Sequence, residues 1–221
     1  AYYSPDVQEM TRNFMDCFLK GDTSSGFLDT PSVRLEVRTS LEEIHEIRHE
    51  NEWPIDRTEY TSLYLTEQQS LALERPTPPM ELAYPAKNGK TAFHYTFAED
   101  AELSGYMKLR VWVEARPENA SQENPDDVAL FVAVNKLDRA GDTVHFFGSV
   151  GSTKDMVTRG WCRVSRRELD PIESTEWHPV QEGAREQKLK AGEIVPVDIG
   201  LYPSSTFFAA GEAVQLIVAP R

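Results

Sequence analysis

The chain has 221 residues, 40% of them hydrophobic and 10% aromatic, and carries 23 Lys and Arg against 36 Asp and Glu for a formal net charge of −13. That length suits one globular domain with an appendage. A negative surplus spread along the whole chain repels phosphate backbones and anionic lipid, which argues against nucleic acid and membrane partners.

No apolar run reaches the roughly 18–20 residues that cross a bilayer, and the first residues, AYYSPDVQEM, have neither the basic nor the apolar region of an export signal. A soluble, cytoplasmic chain is expected. It begins at Ala1 rather than Met, as a processed or excised piece would. Cys17 and Cys162 lie far apart without CxxC spacing, so they read as two reduced thiols and not as a metal ribbon or disulfide scaffold.

Ser4-Pro5-Asp6 is a helix start: a capping hydroxyl, a ring pre-set for the first turn, and an acid at the positive end of the dipole. Val7, Met10, Phe14, Cys17 and Phe18 recur on one face, and Gly21 ends the pattern, which predicts a helix over 5–20. After the turn-rich residues 21–31 the period changes to two. Val33, Leu35 and Val37 alternate with Arg34, Glu36 and Arg38, predicting a half-buried strand. Leu41, Ile44 and Ile47, three residues apart among many Glu, suggest a short solvated helix or charged loop over 39–52. Strand patterns then follow at 60–65, 91–97, 107–114, 128–137, 143–147, 161–165, 194–202 and 213–218, separated by Gly, Pro, Asn and Asp clusters. Many short strands with no helices between them predict a mainly β fold, a sandwich or jelly roll.

Each chemical motif competes with a structural reading. His45-Glu46-Ile47-Arg48-His49 is an HExxH string, which on a helix would hold zinc with two imidazoles and use Glu46 as a base. Its surroundings of Glu42, Glu43, Arg48 and Glu50 favour a charged surface turn instead, because a zinc site needs a third ligand and a dry shell. Gly148-Ser149-Val150-Gly151-Ser152 misses the spacing of a serine-hydrolase elbow and reads as a turn. Asp126-Asp127 opens a strand and reads as loop capping. His94 and His145 read as ordinary strand neighbours. Trp112 and Trp161 are expected in the core, whereas Trp53 and Trp177 could be buried or could stack on a sugar or partner.

Several stretches in succession carry a resemblance: 13–21 (NFMDCFLKG), 33–38, Glu52-Trp53-Pro54 with 61–65, 102–106 leading into 109–113, 127–133, 160–170 (GWCRVSRRELD), 192–197 and 208–212. This order resembles the C-terminal part of the X-Pro dipeptidyl-peptidase and cocaine-esterase-like (CocE/NonD) serine hydrolases. The family more often has His where Arg166 stands. The resemblance implies a jelly-roll domain with a galactose-binding-like fold over 33–221, and a helix and linker over 1–32 that belong to an upstream α/β-hydrolase domain. In such enzymes that domain holds the Ser, Asp and His in chain order, so no catalytic, cofactor-binding or metal-binding residue is expected in this chain. The implied partners are the upstream domain, a further copy of the chain, and a small ester, amide or peptide substrate of the parent enzyme. The rival reading is a stand-alone carbohydrate-binding jelly roll that stacks sugars on Trp53 or Trp177.

Overall fold

The computed structural model describes residues 4–119, 121–148 and 151–220. Helix α1 (Pro5–Lys20) follows the extended Ser4 and stops where Gly21 takes φ 74°, a left-handed turn that glycine enters without steric cost. Asp22 N–H then donates to the Asp16 carbonyl at 3.0 Å. Only Cys17 of this helix is buried. Phe14 and Phe18 meet Phe27, from the short turn that follows, at ring-centroid distances of 5.2 and 5.7 Å. The helix packs chiefly on the turns over 23–29.

The strands are β1 (Val33–Arg38), β2 (Ile44–Glu50), β3 (Tyr64–Leu65), β4 (Leu71–Ala72), β5 (Thr91–Thr96), β6 (Ala101–Val113), β7 (Ala129–Leu137), β8 (Thr143–Val144), β9 (Thr158–Arg163), β10 (Val195–Phe208) and β11 (Ala213–Ala219). The first sheet runs β2-β1-β10-β6. The second runs β5-β11-β7, with β8 and β9 side by side on the far edge of β7. Strands β3 and β4 form a separate hairpin ribbon. From β5 onward the chain passes repeatedly from one sheet to the other, so neighbours within a sheet are distant in sequence, as in a jelly-roll sandwich.

The core lies between the two sheets. Val195, Val197, Ile199 and Leu201 of β10 and Leu109 of β6 face Leu130, Val132 and Val134 of β7 and Val214, Leu216 and Val218 of β11. Phe93, Phe146 and Phe208 fill the space between them and are at most 1% exposed. Burying each such side chain contributes roughly 1.5–3 kcal/mol. Strands β9 and β10 bring the sheets together along one side. A Cβ on Gly160 would fall inside van der Waals contact of the Gly200 carbonyl oxygen, and the Thr158 hydroxyl donates to the Tyr202 carbonyl at 2.5 Å.

One cation crosses the interior. Lys136, fully buried on the inward face of β7, donates from Nζ to the carbonyls of Phe207 (2.8 Å) and Thr39 (3.1 Å) and pairs with Glu212 at 2.8 Å. Buried charge is tolerable only when compensated in this way.

The structure departs from the sequence pattern at several elements. Residues 44–50 form strand β2 rather than a helix or charged loop, because the register Val33↔Glu50 to Val37↔Glu46 pairs them with β1. The strand expected over 60–65 reduces to Tyr64–Leu65, and the one expected over 161–165 ends at Arg163 and turns. Strands β6 and β10 are longer than their patterns, since a bulge between Leu201 and Ser204 lets β10 continue past Pro203.

Candidate functional site

Strand geometry dismantles the HExxH arrangement. His45 and His49 stand four strand residues apart, about 13 Å along the backbone, whereas zinc ligands lie at about 2 Å from a shared ion. Three residues of the string, His45, Glu46 and Arg48, have other partners. The His45 ring stacks on Phe207 at 3.8 Å with an interplanar angle of 3°. Glu46 accepts from Arg48 at 3.1 Å, and Arg48 also reaches Glu50 at 2.7 Å and holds Glu102 with both terminal nitrogens. Glu50 is bound a second time, by Arg57. The Arg57 guanidinium, against the opposing effect of burial and with help from Arg48, holds the Glu50 carboxyl down at about 2. The same network pushes Arg48 upward, chiefly through Glu102. This cluster ties β2 to β6 and to the loop at 57.

Asp127 is a structural clasp. It accepts from Val128 N–H (2.9 Å), Ser165 N–H (2.9 Å), the Ser165 hydroxyl (2.7 Å) and Arg163 (2.5 Å), joining the start of β7 to the end of β9. Burial pushes its pKa up, but those donors outweigh burial and hold it below the ordinary carboxylate range. Asp126 faces Lys188 at 3.4 Å. His94 sits in a cross-strand polar row: the Gln215 amide approaches its Nε2 at 2.9 Å, and Asn135 donates to the Gln215 oxygen at 3.0 Å. His145 is exposed. Ser149 and Val150 of the near-elbow lie outside the described residues, and Gly151 N–H closes a turn onto the Gly148 carbonyl at 3.1 Å. The buried Cys162 thiol is pushed up to about 11 by burial, with the negative charge of Asp127 adding to it, so it is a poor nucleophile at neutral pH.

The tryptophans sort differently from expectation. Trp112 and Trp161 are 62% and 52% exposed, not core. Alternation explains both. Leu109, Val111 and Val113 point inward from β6, and Thr158, Gly160 and Cys162 point inward from β9, which turns each Trp outward. Trp161 lies opposite Phe131 in the β7–β9 register and meets Tyr202 edge-on at 5.7 Å. Trp177 stacks face to face on Tyr60 at 4.2 Å, with the Lys108 ammonium 5.9 Å from its ring. Trp53 packs edge-on to Tyr106 at 6.0 Å, and Tyr106 in turn stacks on His178 at 4.3 Å. The two rings considered as sugar platforms are thus engaged with neighbouring side chains.

Among the described residues no three His, Cys, Asp or Glu side chains converge as metal ligands, and no helix is long and apolar enough to cross a membrane. What the surface does offer is a recess of about 300 Å³ between β1 and the bulged part of β10, with Arg38 and Ser204 in its lining. Sequence reasoning did not single it out, because a gap between strands 166 residues apart in sequence leaves no local pattern.

Residues 25–220 match the model of the X-Pro dipeptidyl-peptidase C-terminal non-catalytic domain. The chain belongs to this family. Among solved structures, a CocE/NonD family hydrolase from Staphylococcus aureus superposes with a TM-score of 0.91 at 35% identity, over 99% of this chain and 38% of that one. A second structure of this Staphylococcus aureus hydrolase gives 0.90 at 34% identity, over 99% and 39%. An α-amino acid ester hydrolase shares the fold, with a TM-score of 0.64 at 13% identity, over 96% of this chain and 37% of that one. No curated protein matches the chain significantly. This non-catalytic domain therefore spans well under half the length of the hydrolases it resembles.

Proposed function

We propose that this chain is the supporting β domain of a serine hydrolase that cleaves an ester or amide bond, with nucleophile, acid and histidine carried by an upstream α/β-hydrolase domain. The carrying observation is coverage: a domain family described as non-catalytic fills residues 25–220, and 99% of the chain lies on 38% of a CocE/NonD hydrolase. In the parent, a hydroxyl would attack the carbonyl, an imidazole would move the proton, and backbone N–H groups would hold the oxyanion. None of those roles falls to a residue of this chain.

The domain would cover the hydrolase sheet, wall one side of the substrate cleft and support self-association. The apolar face of α1, where Met10, Phe14 and Phe18 are each more than 40% exposed, supports an assignment of residues 1–32 to the upstream unit and of 33–221 to the β domain. The two free cysteines suit a reducing, cytoplasmic compartment.

The test is hydrolysis of p-nitrophenyl acetate by the purified chain, with a fluorophosphonate probe for reactive serine. No turnover above blank and no labelled serine are expected. Activity that survives repeated purification together with a labelled serine of this chain would overturn the reading.

A further inference from the structure

We propose that the recess between β1 and β10 is a binding site for a small amphiphilic monocarboxylate, gripped by Arg38 and flanked by apolar walls. The site arises from the sheet itself. Strands β1 and β10 run parallel but share one register pair, Arg38↔Thr206. Upstream of it β1 pairs with β2, while the bulge between Leu201 and Ser204 displaces β10. The strands part there, and Leu35, Trp53 and Pro203 wall the opening.

Arg38 is the group with unspent binding capacity. It is half-buried, with its guanidinium carbon 4.9 Å from the centroid of the fully buried Phe146 ring, and it donates once, to the Ser204 hydroxyl at 3.3 Å. A guanidinium carries five N–H donors in a planar fork that matches a carboxylate. Among the described residues no carboxylate oxygen pairs with it. The two acids whose charges reach it are taken elsewhere: Glu36 accepts from Arg34 at 2.5 Å, and Asp155 pairs with Arg159 at 3.3 Å. Burial lowers the Arg38 pKa, and the charges of Asp155 and Glu36 offset that effect only in part. The half-buried Arg48 of the neighbouring strand is spent on carboxylates, and the half-buried Arg166 and Arg167 donate to backbone carbonyls, whereas Arg38 donates to one hydroxyl at the edge of a recess.

The lining also selects among anions. Glu36 borders the same recess two residues from Arg38 on the same face of β1. A phosphate dianion would meet that repulsion as well as the general negative charge of the chain. A monocarboxylate with an apolar substituent meets less of it and covers Trp53 and Pro203, the lining apolar side chains that are not already buried.

The experiment titrates the full chain with sodium phenylacetate, followed by calorimetry and by amide shifts in the NMR spectrum. Saturable binding at about millimolar concentration is expected, with shifts concentrated at 35–38 and 203–206. Arg38→Gln should weaken it by about tenfold or more, the loss of a charge-assisted fork. Because Arg38 also packs on Phe146, Glu36→Gln serves as a second variant that leaves the gripping group in place, and it should tighten binding by about threefold through lost repulsion. Phenylethanol and inorganic phosphate should fail to compete. The proposal is overturned by absence of saturable binding, by affinity that neither variant changes, by shifts elsewhere on the surface, or by phosphate or phenylethanol binding as well as phenylacetate.

Discussion

Glu50 shows what a single carboxylate does for this fold. It closes the end of β2, where Arg48 from its own strand and Arg57 from the next loop converge on its two oxygens. Its carboxyl ordinarily titrates near 4.5 and is held at about 2, chiefly by the Arg57 hydrogen bonds. A depressed carboxylate pKa contributes stability that is fully present above the unfolded value and is lost as the pH falls through the folded one. Thermal melts of the chain between pH 6 and pH 2 should therefore show part of the acid destabilisation confined to the interval from about 4.5 down to about 2. Glu50→Gln should be less stable at neutral pH and flatter across that interval. Parallel curves for the two proteins would mean that the Arg48–Glu50–Arg57 cluster is not linked to folding.

Between elements, the controlling feature is how closely β9 approaches β10. Gly160 faces inward where β9 comes within backbone contact of β10, and any Cβ there meets the Gly200 carbonyl, which cannot swing aside as a flexible side chain would. Gly160→Ala should therefore cost about 1–3 kcal/mol, as overpacking does, read as a lower urea midpoint with an unchanged slope. An unchanged midpoint would show that the sheets separate freely along this side. The same element shows which parts of the fold were legible in the sequence. Period two in VALFVAVNKL and in the residues of β10 reveals strands without revealing partners, and even Lys136 keeps the inward phase of Val132 and Val134 although its charge argues for the surface. The alternation that betrays β6 also turns Trp112 outward, a consequence overridden by the expectation that large aromatics fill cores. Strand β2 was hidden because its residues are mostly exposed edge positions whose apolar spacing mimics a helix. The Arg38 recess was illegible for a different reason: it is made by a bulge and a splay, which are properties of pairing.

At the scale of the whole molecule, the question is whether the 221 residues form one cooperative unit. The sandwich core is contiguous across both sheets, from Phe93 to Val218. Helix α1 stands apart from it: the helix packs chiefly on the turns that follow, and its aromatic contacts are with Phe27. Its amphipathic face leaves Met10, Phe14 and Phe18 exposed together. An element that contributes little burial to the core contributes little to its stability. Removing residues 1–32 should therefore leave the thermal midpoint of the β domain within about 4 °C of the full chain, the shift that about 1 kcal/mol produces in a domain of this size. The truncated protein should also bind less of a hydrophobic dye such as ANS, because the exposed phenylalanines leave with the helix. A drop of more than about 10 °C, well beyond the shift of a few degrees per kcal/mol, or loss of cooperative unfolding, would show instead that the helix is part of the β domain and that the boundary at residue 32 is misplaced.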